Sequence, residues 1–361
     1  MNKDDIREIR INPIIPTESV LIATARNSRP RKKEPPFIFD RRPHVADCHF
    51  CQGNEEMTPP EILRLPAGGD WQIRVVKNLY PVFADERNLE ELSFGVQQVI
   101  DGYGRHEVII DHSRHGISIH EMSISHLTRL FGLYRDRMAQ LYETDKNHRY
   151  VLVFKNFGPA AGGSIPHTHS QIIAMPIVPY NVEAEVANSR SYFQKKQRCV
   201  FCSLIDEATS YEATLYERNS GKIRRKINVG QYVVERSKHF IAIKPFASRF
   251  EWEVHILPLV HQHDYTAIDN ETCRDLGQIM KRVMARLEWV LGGVQYNYFL
   301  HSAPRDARAE DLQESFHWHL EICPRTSIPN GFELGSGLAV NTVSPEKAAR
   351  QLREAEIADP E

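Results

Sequence analysis

The 361-residue sequence has no run of about 18 apolar residues, the length a helix needs to cross a bilayer, so no membrane-spanning helix is expected. It has no surplus of either charge: 45 Lys and Arg stand against 47 Asp and Glu, a net of −2. A chain that grips nucleic acid or an anionic membrane through its overall field needs a basic excess, so neither partner is expected. Met1-Asn-Lys-Asp-Asp5 leads into no apolar signal core, which points away from secretion and towards the cytoplasm. Low-complexity tracts and an evident linker are missing too. Apolar residues are not scarce: at 41% hydrophobic and 25% charged, the composition supports one large folded unit or about two ordinary ones.

Cysteine is sparse but placed in a pattern. Four of the six form the pairs Cys48-His-Phe-Cys51 and Cys199-Val-Phe-Cys202, while Cys273 and Cys323 stand alone. In a reducing compartment such pairs read as metal ligands or redox dithiols, or more blandly as buried thiols. A redox pair opens a helix after a strand. The first pair instead follows Arg41-Arg42-Pro43-His44 and precedes Gln52-Gly53-Asn54, a knuckle-like setting that suits tetrahedral Zn²⁺. Histidine, at 17 residues, is abundant enough to complete such shells.

The chain also repeats itself. The first Cys pair recurs as the second. Val75-Val-Lys-Asn-Leu-Tyr-Pro81 resembles Phe240-Ile-Ala-Ile-Lys-Pro-Phe246, and Glu107-Val-Ile-Ile110 with His115 resembles Glu253-Val-His-Ile-Leu257 with His261. Tyr150-Val-Leu-Val-Phe-Lys-Asn156 resembles Tyr296-Asn-Tyr-Phe-Leu-His-Ser302, and His167-Thr-His169-Ser-Gln171 resembles His317-Trp-His319-Leu-Glu321. Five matches in one order define two halves, 1–180 and 181–361. Each half supplies a Cys pair, a His after a strand and the first His of H-x-H, which together close a tetrahedral shell with no open position. The expected structural zinc sites, two per chain, are Cys48, Cys51, His115 and His167, and Cys199, Cys202, His261 and His317. His112, His239, His263 and His301 are rivals for single positions.

Ser19–Ala25 and segments near 73–77, 106–111, 150–156 and 170–175 read as strands, and 122–144 as a helix with Leu127, Leu130, Leu133, Met138 and Leu141 at helical spacing. In the second half strands are expected near 231–235, 240–244, 252–258, 296–301 and 316–323. Helices are expected near 182–197, 271–291 and 345–355, the last opened by Ser344-Pro345, with Gly335-Ser-Gly337 before it as a turn. Arg29-Pro-Arg-Lys-Lys33 is a basic patch. Strands outnumber helices, which favours antiparallel α+β halves over a doubly wound parallel sheet.

The most informative stretch is Phe154-Lys-Asn156-Phe-Gly158-Pro-Ala-Ala-Gly162-Gly163-Ser164-Ile-Pro166-His167-Thr-His169-Ser-Gln171. It reads as a strand, a glycine-rich loop able to bring backbone amides to a phosphate, and a second strand. Positions 167, 169 and 171 share one strand face. With His167 on a metal, His169 is held beside the loop, where an imidazole can attack phosphorus and form a covalent phospho-histidine-type intermediate. Gln171 cannot take a proton but can donate to a phosphoryl oxygen.

On these residues the chain resembles the galactose-1-phosphate uridylyltransferases, a branch of the histidine-triad superfamily. The resemblance also covers Arg26-Asn-Ser-Arg29-Pro30, Cys48–Asn54 with Thr58-Pro59, Asn78-Leu-Tyr-Pro81, Phe316–Arg325 and Gly331-Phe-Glu333. It implies a half-barrel-like antiparallel sheet from each repeat, a homodimer, and ping-pong transfer in which His169 takes a nucleotidyl group from a nucleotide sugar and hands it to a second sugar phosphate. By the same resemblance Ser164 joins His169 and Gln171 in the catalytic set. Asn156, Gly162, Gly163, Ser164 and Gln171 would line the phosphates, and Arg26, Arg29, Asn78 and Glu333 would bind substrate. Gln at position 171, where histidine-triad hydrolases carry a third His, marks transfer to phosphate rather than to water.

Some members hold a second metal on a Glu and three His, for which Glu185, His301, His317 and His319 are available. The second Cys pair favours the Cys199 set instead and leaves His319 spare. The run Gly331-Phe-Glu-Leu-Gly335-Ser-Gly337 and that Cys pair also resemble adenylyltransferases that phosphorolyse ADP-glucose. The expectation is therefore a UDP-glucose:hexose-1-phosphate uridylyltransferase. The alternative is an ADP-glucose or dinucleoside-polyphosphate phosphorylase, and a non-catalytic zinc-knuckle module is a remote third.

Overall fold

The computed structural model describes residues 6–28, 37–86, 88–305 and 310–358. The basic patch 29–33, and with it the candidate Arg29, lies outside the described residues. Ten strands build the main sheet: β1 (Glu61–Leu65), β2 (Ile73–Lys77), β3 (Arg105–Ile110), β4 (Tyr150–Phe157), β5 (His169–Met175), β6 (Val233–Arg236), β7 (Phe240–Ile243), β8 (Val254–Pro258), β9 (Tyr296–His301) and β10 (His319–Pro324). Their order is β6-β7-β8-β10-β9-β4-β5-β3-β2-β1, antiparallel throughout. The seam is β4 against β9, with Asn156 opposite Asn297. Outward from it the first half runs β4-β5-β3-β2-β1 and the second β9-β10-β8-β7-β6. Each pair of strand segments matched in the sequence repeat thus occupies equivalent places, and the fold is an α+β, histidine-triad-like, pseudo-symmetric unit.

One face of the sheet is sealed by helices. In α1 (Ile124–Thr144), Leu127, Leu130, Phe131, Tyr134, Met138 and Leu141 are buried. They join Leu276, Met280, Val283 and Met284 of α4 (Asn270–Leu291) and Val151, Val153, Tyr298 and Ile322 of the strands in one core. At about 1.5–3 kcal/mol for each large apolar side chain buried, this layer dominates the stability of the fold. Both helices start where the sequence supplies an acceptor: Ser123 Oγ takes the His126 N–H, and Asp269 takes the Thr272 N–H. α4 stops at Gly292, left-handed at φ 62°.

The opposite face carries polar residues. Val108 pairs with Gln171, Ile110 with His169 and Phe154 with Gln171, and directly paired residues point to one side. Alternation along β4 therefore turns Lys155 into the core and leaves Phe154 and Asn156 half-buried on this face.

Smaller elements surround the sheet. Ser19–Ala23 pairs antiparallel with Arg7–Ile11 on one side and parallel with Ala339–Asn341 on the other, in a separate three-stranded sheet. Hairpins lie at Glu91–Ile100 and Glu212–Asn228. Three helices fall outside the expected set: α3 (Val200–Ser210), α5 (Glu310–Ser315) and α6 (Gly331–Ser336). α2 (Tyr180–Lys196) and α7 (Pro345–Arg353) are where the sequence put helices. The expected turn at 335–337 is instead the end of α6, closed by left-handed Gly337 at φ 70°. Among the described residues no helix is long and apolar enough to cross a membrane.

Candidate active site and metal centres

The two Cys/His sets inferred from the sequence each come together, and each could hold a metal ion. Cys51 Sγ lies 3.5 Å from His115 Nδ1 and 3.6 Å from His167 Nδ1, and Cys48 Sγ lies 3.7 Å from His167 Nδ1. In the second set Cys202 Sγ lies 3.3 Å from His261 Nδ1 and 3.7 Å from His317 Nδ1. Three of the four far nitrogens are hydrogen-bonded, and the fourth, His115 Nε2, lies 3.4 Å from Asp40. His167 Nε2–H donates to the His112 carbonyl (2.7 Å), His261 Nε2–H to Gln313 (2.7 Å) and His317 Nε2–H to Pro258 (3.0 Å). With the proton fixed on Nε2, the Nδ1 lone pairs face the sulfurs. Burial pushes His167 down to about 3, which keeps it neutral, as a metal ligand must be, and pushes the Cys51 thiol up to about 11, a shift that a bound cation would reverse. None of the four rivals enters either set: His112 stacks on His126 at 4.3 Å, and His239 sits 3.6 Å from Glu271.

His167 begins the run that positions His169. His169 Nδ1–H donates to the His167 carbonyl at 2.8 Å, leaving Nε2 as the ring's lone-pair nitrogen, and Phe50 packs edge-on at 5.2 Å. Behind the strand, the Lys155 ammonium donates to the His169 carbonyl (2.9 Å), Thr168 Oγ1 (2.8 Å) and Asp111 Oδ2 (2.5 Å). Asp111 also accepts from Ser170 Oγ, which takes the Tyr134 hydroxyl. This buried network fixes the backbone of residues 168–170 from the core side. Burial, with Lys155 adding to it, holds the His169 ring pKa below its usual value and so favours the neutral form that carries a lone pair.

The glycine loop closes over the other side. Gly158 and Gly162 have φ 86° and 81°, and Gly163 packs so closely that a Cβ would meet the Asn156 carbonyl at 2.9 Å. Asn156 Oδ1 accepts from Asn297 Nδ2 (2.8 Å), which also donates to the Ala161 carbonyl (2.8 Å) and so ties loop to seam. Gln171 Oε1 lies 2.8 Å from His106 Nε2, and Asn78 Nδ2 lies 3.1 Å from the same nitrogen. The structure therefore joins His169, Gln171, Asn156, Asn78 and the loop on one face, with Ser164 exposed in the loop. Arg26 lies in the exposed turn Thr24–Ser28, and Glu333 accepts the Asn330 N–H as a cap of its own helix. Neither joins this hydrogen-bonded group among the described residues. A cavity of ≈ 280 Å³ opens beside Asn156, lined among others by Phe154, Asn297, Phe299, Phe250 and Arg325.

The counterpart of this site in the second half is chemically inverted. His319 and Glu321 stand on β10 where His169 and Gln171 stand on β5. His319 stays outside the Cys199 set, as the sequence suggested, and lies 3.5 Å from Glu321 and 3.9 Å from Glu185. His301 is 3.0 Å from Glu185, and Arg249 pairs with both Glu321 and Glu253. Residues 302–318, between β9 and β10, contain no glycine. Among the described residues this half therefore sets buried carboxylates, paired with Arg249 and His301, where the first half has Gln171 and its glycine loop.

The profile described as Galactose-1-phosphate uridyl transferase, N-terminal domain, matches residues 1–179. The chain is 31% identical over 355 residues to the ADP-glucose phosphorylase of Arabidopsis thaliana, covering 97% of this chain and 93% of that protein. It is 27% identical over 357 residues to the galactose-1-phosphate uridylyltransferase of Thermotoga maritima, covering 97% and 99%. The crystal structure of an Arabidopsis thaliana ADP-glucose phosphorylase with bound ADP-glucose superposes with a TM-score of 0.80 at 28% identity, covering 98% of this chain and all of that one. The chain belongs to the galactose-1-phosphate uridylyltransferase family. It is an enzyme of nucleotidyl transfer.

Within this family member three positioning side chains escaped the sequence reading: His106, Lys155 and Asn297. Lys155 and Asn297 lie inside matched repeat segments, where a strand pattern alone gives no sign of their partners. His106 precedes Glu107 of such a segment, and nothing in spacing alone linked it to Gln171. The loop packing gives a direct expectation. Gly163→Ala must push the loop off Asn156, so kcat should fall by about 10–100-fold while Tm changes little, since a displacement near 1 Å at a reacting centre costs that much. Steady-state kinetics beside a melting curve checks it.

Proposed function

We propose that this enzyme transfers a nucleotidyl group from a nucleoside diphosphate sugar to a phosphate-bearing acceptor through a covalent His169 intermediate, in ping-pong fashion. His169 Nε2 attacks the α-phosphorus; a P–N bond forms, and the P–O bond to the departing hexose 1-phosphate breaks. The leaving phosphate departs as an anion and needs no proton. In the second half-reaction an oxygen of the acceptor phosphate attacks phosphorus, the P–N bond breaks, and the lone pair returns to His169. Such an acceptor is already deprotonated, whereas water would need a base. Gln171 cannot be that base, which favours transfer over hydrolysis. Asn156, Gly162, Gly163 and Ser164 line the phosphates in this reading, with Asn78, Arg26, Arg29 and Glu333 as outer substrate contacts. The observation that carries it is the free Nε2 of His169, fixed by the 2.8 Å bond from its other nitrogen to a backbone whose own His is in a ligand set.

The metal we assign to both sets is zinc. Tetrahedral Zn²⁺ with S at about 2.3 Å and N at about 2.0–2.1 Å has S···N edges of about 3.6 Å. The separations found run from 3.3 to 3.7 Å. A closed shell of two thiolates and two imidazoles supplies structural anchoring, and every chemical role falls to the chain's own groups. We also take 1–180 and 181–361 as the two evolutionary halves, with the nucleophile in the first only. We also propose a homodimer, which the family resemblance implies, and a cytoplasmic setting.

Two donor–acceptor pairs fit this site. UDP-glucose with hexose 1-phosphate is the reading first reached from the motif. ADP-glucose with orthophosphate is favoured equally by the 31% identity to an ADP-glucose phosphorylase. Assaying UDP-glucose and ADP-glucose, each with galactose 1-phosphate and with orthophosphate, separates them. One pair should exceed the other by about 100-fold or more in kcat/KM, the discrimination that unpaired polar groups in a binding site impose. Turnover with none of the four would end the proposal.

A further inference from the structure

The surroundings of Gln171 determine which end of its amide faces the reacting phosphorus. The Val82 N–H points at His106 Nδ1 from 3.2 Å. A backbone N–H can only donate, so Nδ1 holds a lone pair and the neutral ring carries its proton on Nε2. That N–H faces Gln171 at 2.8 Å, where only the amide oxygen can accept it. Asn78 is constrained in parallel. Its Oδ1 takes the Tyr80 N–H at 2.8 Å, so its Nδ2 is the end that lies 3.1 Å from His106 Nε2, and an N–H cannot accept from it. One buried ring thus consumes the oxygen of Gln171 and leaves the NH₂ groups of both amides without an acceptor on it. His106 is on β3 and Gln171 on β5, adjacent strands with Val108 opposite Gln171, so the contact is fixed by sheet register rather than by a mobile loop.

We propose that His106 is a positioning residue for nucleotidyl transfer: its Nε2–H locks the Gln171 amide with NH₂ presented to the phosphoryl group at His169 and the carbonyl oxygen turned away. The proposal rests on the reading of Gln171 as a phosphoryl donor. Its physical content is preorganisation. An amide free to rotate spends part of its time with the oxygen towards an anion, where it repels instead of donating, and must be reoriented as charge develops. A locked amide has no such cost.

The test uses the purified full chain with α-labelled UDP-glucose and ADP-glucose. His106→Phe keeps the bulk and removes the proton donor, whereas His106→Gln places an amide nitrogen near where Nε2 stood. The rate of label appearance, expressed per site finally labelled, is insensitive to any misfolded fraction. His106→Phe should slow labelling and kcat by about 10–100-fold, the range for removing support from one transition-state donor, with KM for the nucleotide sugar moving far less. His106→Gln should recover most of the rate. Combined with Gln171→Ala, His106→Phe should add almost nothing, because the group it positions is gone. A His106→Phe rate equal to wild type, or losses that multiply in the double variant, would overturn the inference while leaving the His169 reading intact. Absence of label on the wild type with either nucleotide sugar would remove both.

Discussion

His169→Ala is expected to abolish covalent labelling by α-labelled nucleotide sugar and to lower turnover by at least ~10⁴-fold, as loss of a covalent nucleophile does. The structure gives reasons why no neighbour should replace it. Nε2 of His169 is the ring position left free by the Nδ1 bond to His167, and the imidazole of His167 is committed to the Cys48 and Cys51 sulfurs. His106 has one nitrogen taken by Val82 N–H and the other by Gln171. In the second half the matching imidazole, His319, is engaged among Glu185, His301 and Glu321, away from the glycine loop. The truncation removes an 8%-exposed ring that packs on Phe50, so some stability is lost, but Lys155, Asp111 and Ser170 still hold the strand from behind. Labelled, acid-sensitive protein persisting in the Ala variant would take His169 out of the nucleophile's role. The wild type should also give parallel double-reciprocal lines, since the first product leaves before the acceptor binds.

Which parts of this site could be read from the residues follows from the range of the interactions. The strand–loop–strand around Gly158–Gly163 was legible because glycine spacing and the H-x-H-x-Q alternation are local features. The two ligand sets were legible although Cys48 and His167 are far apart in the chain, because the repeat supplied a second copy of the same combination. β2, β3, β4, β5 and the long helices α1 and α4 follow apolar periodicity and were placed within a few residues. What the sequence did not carry is register. Whether His106 meets Gln171 depends on β3 and β5 pairing at Val108–Gln171, and whether Asn297 meets Asn156 depends on the seam. Alternation along β4 turns Lys155 inward, where Asp111 and two further acceptors make burial tolerable. The helix α3 is hard to read because its amphipathic run begins directly after Cys199, inside the Cys-x-x-Cys motif. Its buried Val200, Phe201, Ile205 and Ala208 are the packing that carries the second Cys pair to His261 and His317.

The metal sites should respond unequally to the same substitution. Wild-type enzyme should contain about two zincs per chain, and Cys48→Ser and Cys199→Ser should each lose about one, since a closed four-ligand shell tolerates loss of a thiolate poorly. Both variants should melt about 5–10 °C lower, as a loss of a few kcal/mol does in a chain of this size. Activity should separate them. Cys48 holds His167, which supplies the carbonyl that orients His169, so Cys48→Ser should reduce kcat by about 100-fold or more. Cys199 belongs to the shell around His317, whose neighbour His319 faces carboxylates and no phosphate loop, so Cys199→Ser should keep most of kcat below its melting temperature. Metal analysis by plasma emission, run beside kinetics at a temperature where both variants are folded, reads both quantities. Equal losses of kcat would mean that the second site supports the reacting strand through the β4–β9 seam. Unchanged zinc in Cys199→Ser would instead move the second ion to the neighbouring buried carboxylate and histidine groups, Glu185, His301, His319 and Glu321 or Glu253, His255 and Glu321.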